Sequence, residues 1–169
     1  GPEVRPAWLV LPALLLVGCE ALNPALVLQE AARKLRFSLE RVEPRLELAF
    51  PLEESRLHLG LVVGVENPSA TRLRARALGG DLSLTQGGTR SALGKVSFPQ
   101  GIDLEPQARG SVRADLSLGY RELKAAWDPL SRAVLKHEPA TWHLDGEAQL
   151  DLLGLPFRAP LHASKDSGK

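Results

Sequence analysis

The sequence predicts a mostly β domain, an antiparallel β-sandwich of about seven strands with one helix at one end, and three observations carry that prediction. Arg56 to Pro68 places Leu57, Leu59, Leu61, Val63 and Val65 on every second position, the mark of a strand with one apolar face. Thr141 to Leu152 and Leu155 to Ala163 alternate in the same way on either side of Gly154, which reads as a hairpin. Between these blocks the period changes once: Leu123, Trp127, Leu130 and Val134 form a single helical stripe.

The chain has 169 residues, which suits one domain, and 21 Lys plus Arg nearly balance 20 Asp plus Glu. No global field draws such a chain to nucleic acid. The single cysteine, Cys19, excludes an internal disulfide framework and a Cys-rich zinc site. No cofactor is expected.

Residues Ala7 to Val17 form an apolar run shorter than the roughly 20 residues of a spanning helix, so the run fits a signal peptide. It ends in Leu16-Val17-Gly18-Cys19, which resembles the bacterial lipobox. The resemblance implies cleavage before Cys19 and acylation of its thiol, with membrane lipid as partner and the periplasmic face of the outer membrane as location. Two or three acyl chains hold a protein on a bilayer where one is marginal. Residues 1–18 are thus assigned to the signal peptide, 19–36 to a tether with a short helix after Asn23-Pro24, 37–164 to the domain, and 165–169 to a disordered tail.

Within the domain, Phe37 to Phe50 is expected as two short strands, or one interrupted edge strand, around Pro44. The long strand from Arg56 runs through the core, with His58, Gly60, Val62 and Gly64 outward, and stops at Asn67-Pro68. Thr71 to Ala77 places Arg72, Arg74 and Arg76 on one face. That stripe reads as a solvated outer face paired with neighbouring acids or as a contact for anionic lipid headgroups. Gly79-Gly80 suggests a bulge or bend, Gly87-Gly88 a hairpin turn, Ile102 to Leu104 a brief strand, and Ser111 to Leu118 a longer one.

Asp128-Pro129 should break the helix, and Trp127 on its apolar stripe is expected to pack on the sheet. In the last hairpin a turn at Gly154-Leu155 would set Asp151 opposite Arg158 and Glu147 opposite His162. Pro156 and Pro160 make its second strand an edge. No histidine pair has metal-ligand spacing, and no nucleophile elbow, phosphate loop or dinucleotide fingerprint occurs, so an enzyme is not expected.

The strand ending in Asn67-Pro68-Ser69, the Gly94 step, the helix near Trp127 and the hairpin with Gly146 and Gly154 together resemble the late-embryogenesis-abundant type 2 family, also called the water-stress and hypersensitive-response (WHy) domain. Ser69 departs from the Asn often found after Asn-Pro in that family. The resemblance spans about Phe37 to Ala163. It implies an immunoglobulin- or fibronectin-like sandwich without catalytic residues, associated with desiccation and stress tolerance or with membrane-linked roles. The expected function is a lipid-anchored binding or protective module. The alternatives are a carrier of an amphiphile and a structural subunit of the envelope, with a protein or amphiphile as client.

Overall fold

The apolar alternation from Arg56 becomes strand β2 (Arg56–Glu66), paired antiparallel with β1 (Arg36–Glu47) on one side and β6 (Arg109–Leu118) on the other. Its inward side chains Leu57, Leu59, Leu61, Val63 and Val65 are all buried, because both neighbours and a second sheet cover them. The computed structural model describes residues 24–152 and 154–167; Cys19 and the apolar run before it lie outside them. The second sheet has the order β4-β3-β7-β8, from β3 (Leu73–Gln86), β4 (Thr89–Phe98), β7 (Ala140–Leu152) and β8 (Leu155–Ser167), with β5 (Ile102–Leu104) paired to the start of β3. Eight strands in two sheets thus enclose one apolar core in the antiparallel sandwich that the sequence predicts.

Helix α1 (Pro24–Lys34) opens on proline, whose missing N–H is no loss in a first turn. It buries Ala31 and Ala32, followed by Leu35, while Leu26 is exposed. β1 is one strand, with Pro44 opposite Leu59 and a register shift between Leu39 and Arg41. It lies at a sheet edge, where a missing donor is tolerated.

The expected bulge at Gly79-Gly80 is absent. The pairing of β3 with β7 slips between Ala75 and Ala77 instead, which places Arg76 in the bulge and moves the inward set from Leu73 and Ala75 to Leu78, Leu82 and Leu84. The two glycines have a different role: Gly80 stands opposite Gly146, and a Cβ on Gly146 would collide with the Gly79 carbonyl oxygen. Gly87 and Gly88 form the β3–β4 turn with φ of 59° and 80°, as a two-residue hairpin of this type requires.

Two short helices follow β6, α2 (Tyr120–Ala125) and α3 (Trp127–Val134). The break is at Ala126, with φ −111° and ψ 19°, and Pro129 falls in the first turn of α3, where no intrahelical donor is missed. That break corrects the expectation for Trp127. Leu123, Leu130 and Ala133 are buried, but Trp127 is turned outward and is 44% exposed.

The last hairpin also differs from expectation. Leu152 pairs with Leu155, so Asp151 stands opposite Pro156, Glu147 opposite Pro160 and Asp145 opposite His162; the register is displaced by two residues from the predicted one. The pair that closes a two-residue turn is hydrogen-bonded, and alternation along the ladder puts Pro156 and Pro160 on non-hydrogen-bonded positions. Both proline nitrogens then face the open edge, where no donor is needed. In the predicted register both would occupy donor positions. A shift of two preserves the face of every side chain, so Ala159 and Leu161 are buried as expected, whereas Leu155 beside the turn, also expected inward, is exposed. β8 continues to Ser167, beyond the expected start of the tail.

Candidate functional site

The turn before β2 is a loop, residues 48–55, containing a 3-10 turn at Leu52–Glu54. It is tied by Ser55, whose Oγ accepts from Ala49 N–H at 3.0 Å and donates to the Ala49 carbonyl at 3.4 Å. With its backbone secured in this way, the loop carries three large apolar side chains into solvent. Leu48 and Leu52 are at least half exposed, and Phe50 is 87% exposed. Helix α2 starts at the same end of the sandwich, because it follows Leu118, the partner of Leu57.

Loop and helix bound an open groove of about 380 Å³. Leu48, Leu52 and Ser55 line one side, and Tyr120, Leu123, Lys124 and Trp127 line the other. Tyr120, Leu123 and Lys124 fall at spacings of three and four on α2, and Trp127 joins them from the start of α3, just past the break at Ala126. Trp127 is also a wall of a neighbouring crevice with Leu46, Val134 and Leu135, of which Leu135 is exposed, so the apolar surface is continuous across the helical end. These exposed side chains present on the order of several hundred Å², comparable with the largest patch of a typical monomer, which is often functional. Among the described residues neither Lys124 nor Tyr120 has a side-chain hydrogen-bond or ion-pair partner.

The residues singled out in the sequence lie elsewhere. Asn67 is fully buried at the opposite end, where its Nδ2 donates to the Thr71 carbonyl at 2.8 Å, the Glu105 carbonyl at 3.2 Å and the Leu104 carbonyl at 3.3 Å. Its Oδ1 accepts from Ser69 Oγ at 2.6 Å and Ser69 N–H at 3.1 Å. Pro68 offers its carbonyl to Gln107 Nε2 at 3.0 Å. The Asn67-Pro68-Ser69 motif is therefore a corner that joins the end of β2 to β5 and the loop after it.

Arg72 lies 3.3 Å from Glu105 and 4.0 Å from Asp103, and Arg74 lies 3.8 Å from Asp103. Arg76, on the bulge, has no carboxylate within ion-pair distance among the described residues. Carboxylates on β5 and just after it thus stand beside Arg72 and Arg74 in exposed, weak pairs, while the three arginines still outnumber the two acids.

On the outer face of the second sheet Asp145 accepts from Arg90 at 2.6 Å and from His162 Nδ1 at 2.8 Å. The His162 hydrogen bond does most to hold the Asp145 carboxyl below the usual range; burial opposes it, and the Arg90 hydrogen bond and charge add to the lowering. His143 meets Thr85 Oγ1 at 2.9 Å and His58 meets Glu47 at 2.8 Å, so these histidines tie neighbouring strands together. Among the described residues no cluster of three His, Cys, Asp or Glu could hold a metal ion, and no helix is long and apolar enough to cross a membrane.

No family model matches this chain, and no curated protein matches it. Among solved structures, a protein from Archaeoglobus fulgidus is similar with 11% identity and a TM-score of 0.43, covering 76% of this chain and 95% of that one. AT1g01470 from Arabidopsis thaliana is similar at 16% identity and TM-score 0.46, over 77% of this chain and 78% of that one. A candidate late embryogenesis abundant protein, At2g46140.1, is similar at 14% identity and TM-score 0.38, over 89% and 86%. At these levels no function passes from them to this chain.

Proposed function

We propose that this chain is a non-enzymatic binding module of the bacterial cell envelope, held at the membrane through acylated Cys19, whose helical end takes up an apolar ligand. The observation that carries the reading is the exposed groove between Leu48, Leu52 and Trp127, whose walls would gain by leaving water at roughly 25 cal/mol per Å² of apolar surface. The lipobox supports the anchor, and its proposed place is the periplasmic face of the outer membrane. Protection of the desiccation type, which the family resemblance implies, is the setting in which such binding would act.

An uncharged solvatochromic dye tests the groove, since its uptake needs an apolar site and no charge. Leu52→Ser combined with Trp127→Ser should lower uptake by the full chain several-fold without unfolding it. Undiminished uptake by that variant would place the binding elsewhere and overturn the reading. For the anchor, Cys19→Ser should move the protein out of the alkaline-washed membrane fraction, whereas unchanged fractionation removes Cys19 from the account.

A further inference from the structure

The groove has one charged liner. Lys124 lies on α2 one turn beyond Tyr120, and no carboxylate lies within 4 Å of its ammonium among the described residues. The neighbouring acids do not line the groove: Glu53 and Glu54 belong to the 3-10 turn beside it, Glu122 directs its carboxylate toward Gly119 at the start of α2, and Asp128 accepts from Arg132 at 3.2 Å. Ser55 is spent on the Ala49 backbone, so the lining residues that carry an uncommitted polar group are Lys124 and Tyr120. The remaining liners are leucine and tryptophan. The chemistry that matches is an apolar chain with one anionic end.

Size narrows the occupant further. A methylene fills about as much space as a water molecule's ~30 Å³ share of the liquid, so a groove of about 380 Å³ holds roughly a dozen carbons. That is one acyl chain and is too small for two. A flat anionic bilayer is disfavoured, because Glu53 and Glu54 would be pressed against it with the apolar loop, and like charge opposes the approach.

We propose that the groove between the 48–55 loop and α2 binds a single free fatty acid of about twelve carbons, with its chain along Leu48, Leu52, Leu123 and Trp127 and its carboxylate at Lys124 and Tyr120. This rests on the apolar-ligand reading above and adds the length of the chain and the sign of its head.

The test uses the full chain carrying Cys19→Ser in detergent-free buffer, titrated calorimetrically with dodecanoate and with dodecyltrimethylammonium, each below its micelle concentration. The two probes share a chain and differ in the charge of the head. One dodecanoate should bind per protein, at least about threefold tighter than the cationic probe, with the gap narrowing in high salt as an exposed charge pair is screened. Lys124→Glu should invert the preference between the two probes. Equal affinity for both probes and no effect of Lys124→Glu overturn the assigned head group and leave the apolar groove standing. Failure of both probes with dye uptake intact overturns the single-chain occupant, as does blockage of the groove by dimerisation in sedimentation or by binding to phosphatidylglycerol vesicles. Loss of dye uptake as well would take down the underlying reading.

Discussion

Asn67 Nδ2 and the Leu104 carbonyl oxygen, 37 positions apart in sequence, meet at 3.3 Å in the interior, and the same amide nitrogen reaches the carbonyls of Thr71 and Glu105. One side chain thereby satisfies backbone groups from two segments, the turn through Thr71 and the end of β5, at the point where Pro68 has ended β2. A buried polar group left without a partner costs about 1–3 kcal/mol, so Asn67→Ala should destabilise the domain by about 3 kcal/mol. Asn67→Asp should also destabilise it, because a carboxylate cannot donate to three carbonyls. The urea midpoint should fall in both variants with the denaturant slope unchanged. A midpoint equal to wild type for Asn67→Ala would mean that the corner does not hold the fold.

Asp145 makes stability depend on acid. Its carboxyl is held low in the folded state, first by the His162 hydrogen bond and then by Arg90. A depressed folded pKa contributes stability that is fully present above the unfolded value of about 3.9 and is lost as pH falls through the folded value. The site is well exposed, so solvent screening keeps the contribution below about 1 kcal/mol. Between pH 5 and pH 3, Asp145→Asn should lose less stability than the wild type. Parallel stability curves would remove this group from the acid response.

Exposure at the helical end separates binding from folding. Phe50→Ser changes a side chain that is 87% exposed, and its effect on stability should stay within about 0.5 kcal/mol. Leu123 lines the same groove from a buried position, and Leu123→Ala should cost about 2–4 kcal/mol. Thermal melts of the two variants check the contrast. Similar losses in both would mean that the loop's apolar tip belongs to the core.

Period two made β2 legible through five alternate inward positions from Leu57 to Val65, but it did not show that Val62 and Gly64 on the other face are buried as well. The helical stripe was legible in its period but not in its break. Sequence placed the interruption at Asp128-Pro129, whereas proline is harmless in a first turn and the chain breaks at Ala126, which turns Trp127 from the core to the groove. The other wall was hidden for a related reason. Leu46, Leu48 and Phe50 alternate as a strand does, yet β1 ends at Glu47, and Leu48 and Phe50 are left on a loop with no sheet to bury them. Apolar residues beside Pro51 and the Glu53-Glu54 pair were the available signal of an exposed tip. The bulge at Arg76 left no mark, because glycine is only one route to a bulge.

The register of the last hairpin was encoded in its prolines. Alternation fixes only the face of each side chain, so a displacement of two residues is invisible to it, but Pro156 and Pro160 tolerate only the ladder in which their nitrogens point away from β7. Cross-linking can read this directly. Gln149 and Arg158 are exposed and directly opposed at a non-hydrogen-bonded position, where Cα atoms lie about 4.5 Å apart, within the range that a disulfide spans. In a Cys19→Ser background, Gln149→Cys with Arg158→Cys should oxidise readily to an intramolecular disulfide and raise the melting temperature. Asp151→Cys with Arg158→Cys, opposed only in the register that a turn at Gly154-Leu155 would give, should oxidise slowly and gain nothing. If the second pair closes faster than the first, Pro156 and Pro160 do not set the pairing of β7 and β8.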